Sequence, residues 1–157
     1  MISEAVKTGR EMSENIKNIE DFSAPRIMVV GAGGAGCNAV NRLAHMNIAG
    51  AQLVAVNTDK QHLSIIDDNI TKILIGKSIT RGLGAGGYPE IGAKAAESSK
   101  GDLQSVLRGV DMLFISAGMG GGTGTGSAPI IAQMAKEQGA IVIAMVTYPF
   151  ALEKART

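Results

Sequence analysis

The chain has 157 residues, 45% of them hydrophobic and 18% charged, which suits one domain with a real core and an ordinary globular surface. A net charge of +1 gives no electrostatic reason to expect nucleic acid or a membrane surface as the main partner. The single cysteine, Cys37, excludes an internal disulfide and suits a reducing compartment, and no apolar run approaches the roughly 18 residues of a membrane-spanning helix.

Residues 1–24 are polar, with Ala5, Met12, Ile16, Ile19 and Phe22 at loosely helical spacing, and they read as an amphipathic arm. The segment has no apolar core of signal-peptide length, so a cytoplasmic protein is expected. Residues 25–157 read as one α/β domain. Its first strand is Arg26–Val30, followed by Gly31-Ala32-Gly33-Gly34-Ala35-Gly36 and a helix with Val40, Leu43 and Ala44 on one face. Gln52–Val56 is the second strand and runs into Asn57-Thr58-Asp59-Lys60-Gln61; Thr71–Ile75 is the third. Gly82-Leu83-Gly84-Ala85-Gly86-Gly87 then precedes an alanine-rich helix to about Glu97, with another helical turn near Leu103–Leu107.

The next strand, Met112–Ala117, leads into Gly118-Met119-Gly120-Gly121-Gly122-Thr123-Gly124-Thr125-Gly126. Ser127-Ala128-Pro129 reads as a helix start with proline in its first turn, and Gly139 as the glycine just past its end. Ile141–Thr147 reads as a buried strand, and the remaining residues as the start of an element that the chain does not complete, as in a fragment of a longer protein. Apolar strands alternating with helices predict a doubly wound parallel sheet covered by helices on both faces, and analogy with other nucleotide folds gives the expected order 3-2-1-4-5.

In such a sheet the segments leaving the strands' C-terminal ends share one edge, where ligands bind. The three glycine-rich stretches fall there and hold 14 of the chain's 21 glycines. Glycine lets a ligand approach backbone N–H groups, and a helix N-terminus favours an anion. No lysine lies in any of these stretches, so phosphate charge has to be met by N–H dipoles and a cation, Mg²⁺. One such cradle suits a mono- or diphosphate; three converging ones suit a triphosphate. A P-loop is excluded, because Gly76-Lys77-Ser78 has the ending but Thr71 stands where its first glycine is needed. Residues 31–36 do fit the dinucleotide pattern G-x-G-x-x-G, and Asp59 could sit on a ribose, so an NAD-dependent oxidoreductase domain remains an alternative. The polar run around Asp59 is better suited to a metal-bound or attacking water. His45, His62 and Cys37 read as ordinary surface, boundary or packing residues, and Met119 as an apolar anchor for its loop.

The glycine–threonine stretch resembles the signature loop of the tubulin/FtsZ family. So do Gly31–Val40, Asn57-Thr58-Asp59, Arg81–Glu90 and Pro149-Phe150 with Glu153, in the family's order, from about Arg26 to Arg156. The resemblance implies a GTP- and GDP-binding domain of an FtsZ-like cell-division GTPase. Gly33, Gly34, Ala35, Gly36, Cys37 and Asn38 would cradle the α- and β-phosphates and reach toward the nucleoside, and Asp59 would join the site. Ala85 and Gly86 would touch the γ-phosphate. Gly120, Gly121, Gly122, Thr123 and Gly124 would hold the β- and γ-phosphates, with Thr123 as a hydroxyl donor, and Mg²⁺ would come through phosphate and water near Gln61. Glu153 would bond the ribose with Arg156 nearby, one place closer than bacterial members commonly have it.

The resemblance also implies head-to-tail homopolymers, anchoring and regulatory partners at the division site, and no direct membrane insertion. It places the base-reading helix and the catalytic loop, which acts on a neighbouring subunit's nucleotide, beyond residue 157. Weaker nucleotide binding with very slow turnover or none is therefore expected of these residues alone, and a non-catalytic nucleotide-binding regulator is the remaining alternative.

Overall fold

The computed structural model describes residues 24–149. Nearly all of the arm read at 1–24 lies outside them, as do Glu153 and Arg156. In chain order the elements are β1 (Ile27–Ala32), α1 (Gly33–His45), β2 (Ala51–Asn57), α2 (Lys60–Ser64), β3 (Thr71–Leu74), α3 (Lys77–Thr80), α4 (Pro89–Ser98), α5 (Lys100–Leu107), β4 (Met112–Gly118), α6 (Thr123–Glu137) and β5 (Ile141–Thr147). The strands pair in parallel in the order β3-β2-β1-β4-β5, as expected. Ala32 is level with Val56 on one side and Ala117 on the other, so the three central strands end in line. No helix among the described residues is long and apolar enough to cross a membrane.

Successive strand residues point to opposite faces, and both faces are covered. Met28, Val30, Val54, Val56, Leu113 and Ile115 face α4, α5 and α6, where Ala95, Leu103, Leu107 and Ile131 complete one core. Val29 and Ala55 face α1 and α2, against Cys37, Val40 and Leu63. Each fully buried side chain of this size contributes about 1.5–3 kcal/mol relative to exposure. On the first of these faces α4 and α6 meet backbone to backbone: a Cβ added at Gly126 would run into the carbonyl of Pro89, and one at Gly92 into that of Gly122.

Three features differ from the sequence reading. Residues 31–36 are not a loop; β1 runs through Ala32 and α1 starts at Gly33, whose φ of +72° makes the turn in one residue. Residues 82–87 follow the short helix α3 rather than a strand. Helix α6 begins inside the glycine–threonine stretch, because the Gly126 N–H donates to the Gly122 carbonyl at 3.0 Å and the Ser127 hydroxyl to the Thr123 carbonyl at 2.6 Å. Pro129 is therefore inside the helix, where it supplies no N–H to the Thr125 carbonyl, and it lies on the exposed side.

The last strand is a further correction. β5 has the apolar sequence of a buried strand, yet Ile141, Ile143, Met145 and Val146 are 62%, 40%, 48% and 50% exposed. Among the described residues it pairs only with β4, and α1 packs mainly over β1, β2 and β4. Burial depends on neighbours, and among the described residues β5 lacks them on one edge and one face.

Candidate functional site

The strand order reverses direction between β1 and β4. From β1 the chain leaves through α1 toward β2; from β4 it leaves through α6 toward β5, on the other face. The two helix N-termini therefore open on either side of one crevice, the place where ligands bind in open α/β sheets. They nearly touch there: a Cβ on Gly33 would lie 2.6 Å from the backbone nitrogen of Gly124. Between them is a cleft of about 520 Å³. Gly34 and Ala35 form one wall, Met119 to Gly124 the other, and Ala32, Gly118 and Thr147 lie at the base. That volume is in the range of small-molecule sites.

Among the described residues no charged side chain lines the cleft. Its polarity comes from the first turns of helices of 13 and 15 residues, whose leading N–H groups have no intrahelical partner. Two aligned helix dipoles add partial positive charge at the same place. The arrangement can hold a group with several anionic oxygens without a lysine or arginine.

The walls are fixed by the protein's own hydrogen bonds. The Met119 N–H donates to the Thr147 carbonyl at 3.0 Å, and the Met119 side chain packs on the core, as expected of an anchor. The Gly120 N–H donates to Thr125 Oγ1 at 3.0 Å. Thr123, read as a hydroxyl donor, is buried, and its Oγ1 lies 2.7 Å from Thr58 Oγ1. This buried pair joins the end of β2 to the start of α6 across β1.

The glycines divide into two groups. A Cβ at Gly31 would strike the Gly36 carbonyl, and one at Gly36 the Ser116 carbonyl. At Gly124 it would meet the carbonyls of Gly118 and Ala32 at 2.9 and 3.0 Å, and at Gly122 the Ala85 Cβ and Tyr88 nitrogen at 2.8 Å. These positions are glycine because protein backbone passes close by. Gly34, with His62 Cε1 nearest at 3.6 Å, and Gly121, with nothing within 4 Å, open on space instead.

Of the residues singled out from sequence, Gly34, Ala35, Gly120, Gly121, Gly122, Thr123 and Gly124 line the cleft. Gly33 and Gly36 support it from below. Ala85 is buried against Gly122, and Gly86 is exposed beside it with φ +62°; neither is part of the lining.

The second motif folds as a capped turn. Asn57 Oδ1 accepts the N–H groups of Thr58 and Asp59 at 2.8 and 3.3 Å. Asp59 Oδ1 accepts those of Gln61 and His62 at 2.8 and 3.1 Å and so caps α2. The Lys60 N–H donates to the Gly82 carbonyl at 2.9 Å and the Gly84 N–H to the Thr58 carbonyl at 3.2 Å, docking the third glycine stretch on this turn.

Cys37 is fully buried, its thiol 3.6 Å from the Gly31 carbonyl and 3.5 Å from that of Val56. Burial pushes its pKa up to about 12, so it packs, as expected, and only its backbone could face a ligand. His45 is a surface residue whose Nδ1 lies 2.8 Å from the Asn41 carbonyl. His62 is not ordinary: it bridges the Asn38 and Asn57 side chains at 2.9 and 3.0 Å. Sequence reasoning missed it and Thr58; the one available signal was their place in the polar run after β2.

The model of the tubulin/FtsZ family GTPase domain matches residues 26–157. The chain belongs to the tubulin/FtsZ family. It is 56% identical over 157 residues to cell division protein FtsZ 2 of Methanocaldococcus jannaschii, covering 99% of this chain and 41% of that protein. It is 54% identical over 149 residues to cell division protein FtsZ 2 of Haloferax volcanii, covering 94% of this chain and 37% of that protein. Its fold is similar to that of the FtsZ dimer from M. jannaschii, with a TM-score of 0.81 at 46% identity over 90% of this chain and 41% of that one. The chain thus spans about two fifths of the length of the FtsZ relatives it matches. Membership of the tubulin/FtsZ family does not favour the dinucleotide oxidoreductase reading that Asp59 left open.

Proposed function

We propose that this chain is the nucleotide-binding part of an FtsZ-like cell-division GTPase, with GTP or GDP seated by its phosphates in the cleft between α1 and α6. The observation that carries the reading is the convergence of two helix N-termini on one uncharged, glycine-walled crevice at the reversal of strand order. Gly34 and Ala35 on one side and Gly120 to Gly124 on the other would supply N–H groups to the phosphates. Among the described residues no three His, Cys, Asp or Glu side chains are grouped to hold a metal ion. Mg²⁺ in this reading is therefore carried by phosphate oxygens and water near Gln61. Glu153 and Arg156 would complete the ribose end.

Among the described residues no side chain lining the cleft is a candidate general base. In this reading hydrolysis takes place in a head-to-tail polymer at the division site, where a neighbouring subunit supplies the missing groups and anchoring and regulatory proteins attach. Nucleotide held at the joint would couple its own hydrolysis to polymer stability.

A thermal-shift titration of the chain with GTP, GDP, ATP and NAD, each with and without Mg²⁺, tests the binding step. Ligand at 100 times its Kd stabilises the folded state by about 2.7 kcal/mol. The reading expects GTP and GDP to raise Tm. A rise with NAD alone, or none with GTP and GDP at millimolar concentration, overturns it for this chain. Gly121→Val, at a position facing open space, tests the placement more cleanly than a bulky residue at Thr123, which is packed on Thr58.

A further inference from the structure

His62 lies on α2, outside the cleft lining, over a stripe of α1 formed by Gly34 and Asn38. These two are four residues apart and so share one face of the helix, about 6 Å from each other along its axis. Gly34 lines the cleft and Asn38 is exposed one turn further on. The hydrogen bonds around His62 leave one consistent assignment. Asn57 Oδ1 accepts two backbone N–H groups, from Thr58 and Asp59, which do not change identity. The Asn57 amide is thereby locked, and its Nδ2 donates toward His62 Nδ1 at 3.0 Å. Nδ1 must be the acceptor, so the ring proton is on Nε2, which donates to Asn38 Oδ1 at 2.9 Å. With Oδ1 taken, Asn38 Nδ2 faces away from His62.

We propose that His62 is a positioning residue of the nucleotide site: through the relay Asn57–His62–Asn38 it fixes the Asn38 amide so that its NH₂ group is presented to a hydrogen-bond acceptor on the nucleoside. The inference rests on the nucleotide reading above and deepens it. Without the imidazole, Asn38 can rotate freely and offer either its carbonyl or its NH₂, and binding has to fix it each time at an entropic cost. The phosphates, held by backbone N–H groups of the cleft, do not depend on this relay.

The test compares GTP with inorganic tripolyphosphate as probes, using calorimetric Kd values for the wild-type chain, His62→Ala and His62→Gln. His62→Ala is expected to weaken GTP binding about five- to tenfold and to leave tripolyphosphate unchanged. His62→Gln keeps a donor and an acceptor on a flexible stem and is expected to recover part of the loss. In the unliganded wild-type chain, nitrogen NMR is expected to show the Nε2–H tautomer of His62. Equal losses for GTP and tripolyphosphate, no loss in His62→Ala, no recovery in His62→Gln, or an Nδ1–H tautomer each overturn the positioning role. A wild-type chain that binds tripolyphosphate but no GTP removes the nucleotide reading and this role with it, whereas binding in the wild type undiminished in His62→Ala removes the role alone.

Discussion

The cleft's base and its rim are built from the same residue for opposite reasons. Beneath the cleft at Gly31 and Gly36, and low in one wall at Gly124, the residue is glycine because carbonyl groups of neighbouring segments occupy the space of a side chain. At the rim, Gly34 and Gly121 have room for one. The base positions set how closely α1 and α6 approach the sheet and each other, and thereby where their N-termini point. The rim positions leave the backbone bare to whatever enters. A glycine-rich sequence therefore carries two instructions, one read by the protein and one by its ligand, and composition alone does not separate them.

Substitutions can break this distinction or sharpen it. The largest effect is expected at the base. Gly36→Ala, and likewise Gly126→Ala at the contact between α4 and α6, each place a Cβ on a backbone carbonyl and should cost about 3 kcal/mol or more. In a domain of this size that corresponds to a Tm lower by roughly 6–12 °C, read in a melt without ligand. Gly121→Val comes next. It should leave the unliganded Tm within about 1 °C of wild type while weakening GTP binding tenfold or more, equivalent to about 1.4 kcal/mol. A melt for Gly121→Val as low as that for Gly36→Ala would abolish the division between base and rim.

Gly139 is a third kind of glycine, remote from the cleft, with φ +91° and nothing within 4 Å of a Cβ. Gly139→Ala should cost about 1 kcal/mol from left-handed backbone strain and leave nucleotide affinity unchanged.

The effect that is smallest at neutral pH concerns the buried Cys37. Its folded pKa of about 12 stands above the ordinary 9.0, so the unfolded thiol ionises first. The stability difference between wild type and Cys37→Ala should be constant below pH 9 and shrink as pH rises from 9 toward 12. In the native state at neutral pH the thiol should resist alkylation until the chain is denatured, as measured by mass spectrometry.

The fold was legible because its signals are local. Apolar runs such as Met28–Val30 and Leu113–Ile115 identify strands, alternation with helices fixes their parallel pairing, and two of the three glycine stretches mark strand ends. What was not legible depends on partners distant in sequence. β5 is as apolar in sequence as β1, but its exposure is decided by which elements stand beside it. Pro129 suggested a helix start, yet the hydrogen bonds from Gly126 and Ser127 begin the helix four residues before Ser127. The cleft was legible at Gly34, Ala35 and Gly120 to Gly124. The Thr58–Thr123 pair and the His62 relay were not, because each joins residues 65 or 24 positions apart.

A cleft without charged side chains has a consequence for how its sequence can vary. In the proposed reading the phosphate-binding information is stored in φ and ψ angles and in the direction of two helix axes, and hardly at all in the side chains of the described residues. A saturation scan should therefore give a profile unlike that of a site built on lysines or carboxylates. At Ala35 and Met119 tolerance should follow side-chain volume whatever the polarity, and at Gly33 it should follow backbone handedness. Such a site can absorb much substitution in its surroundings, and it is lost when the chain can no longer make the turn.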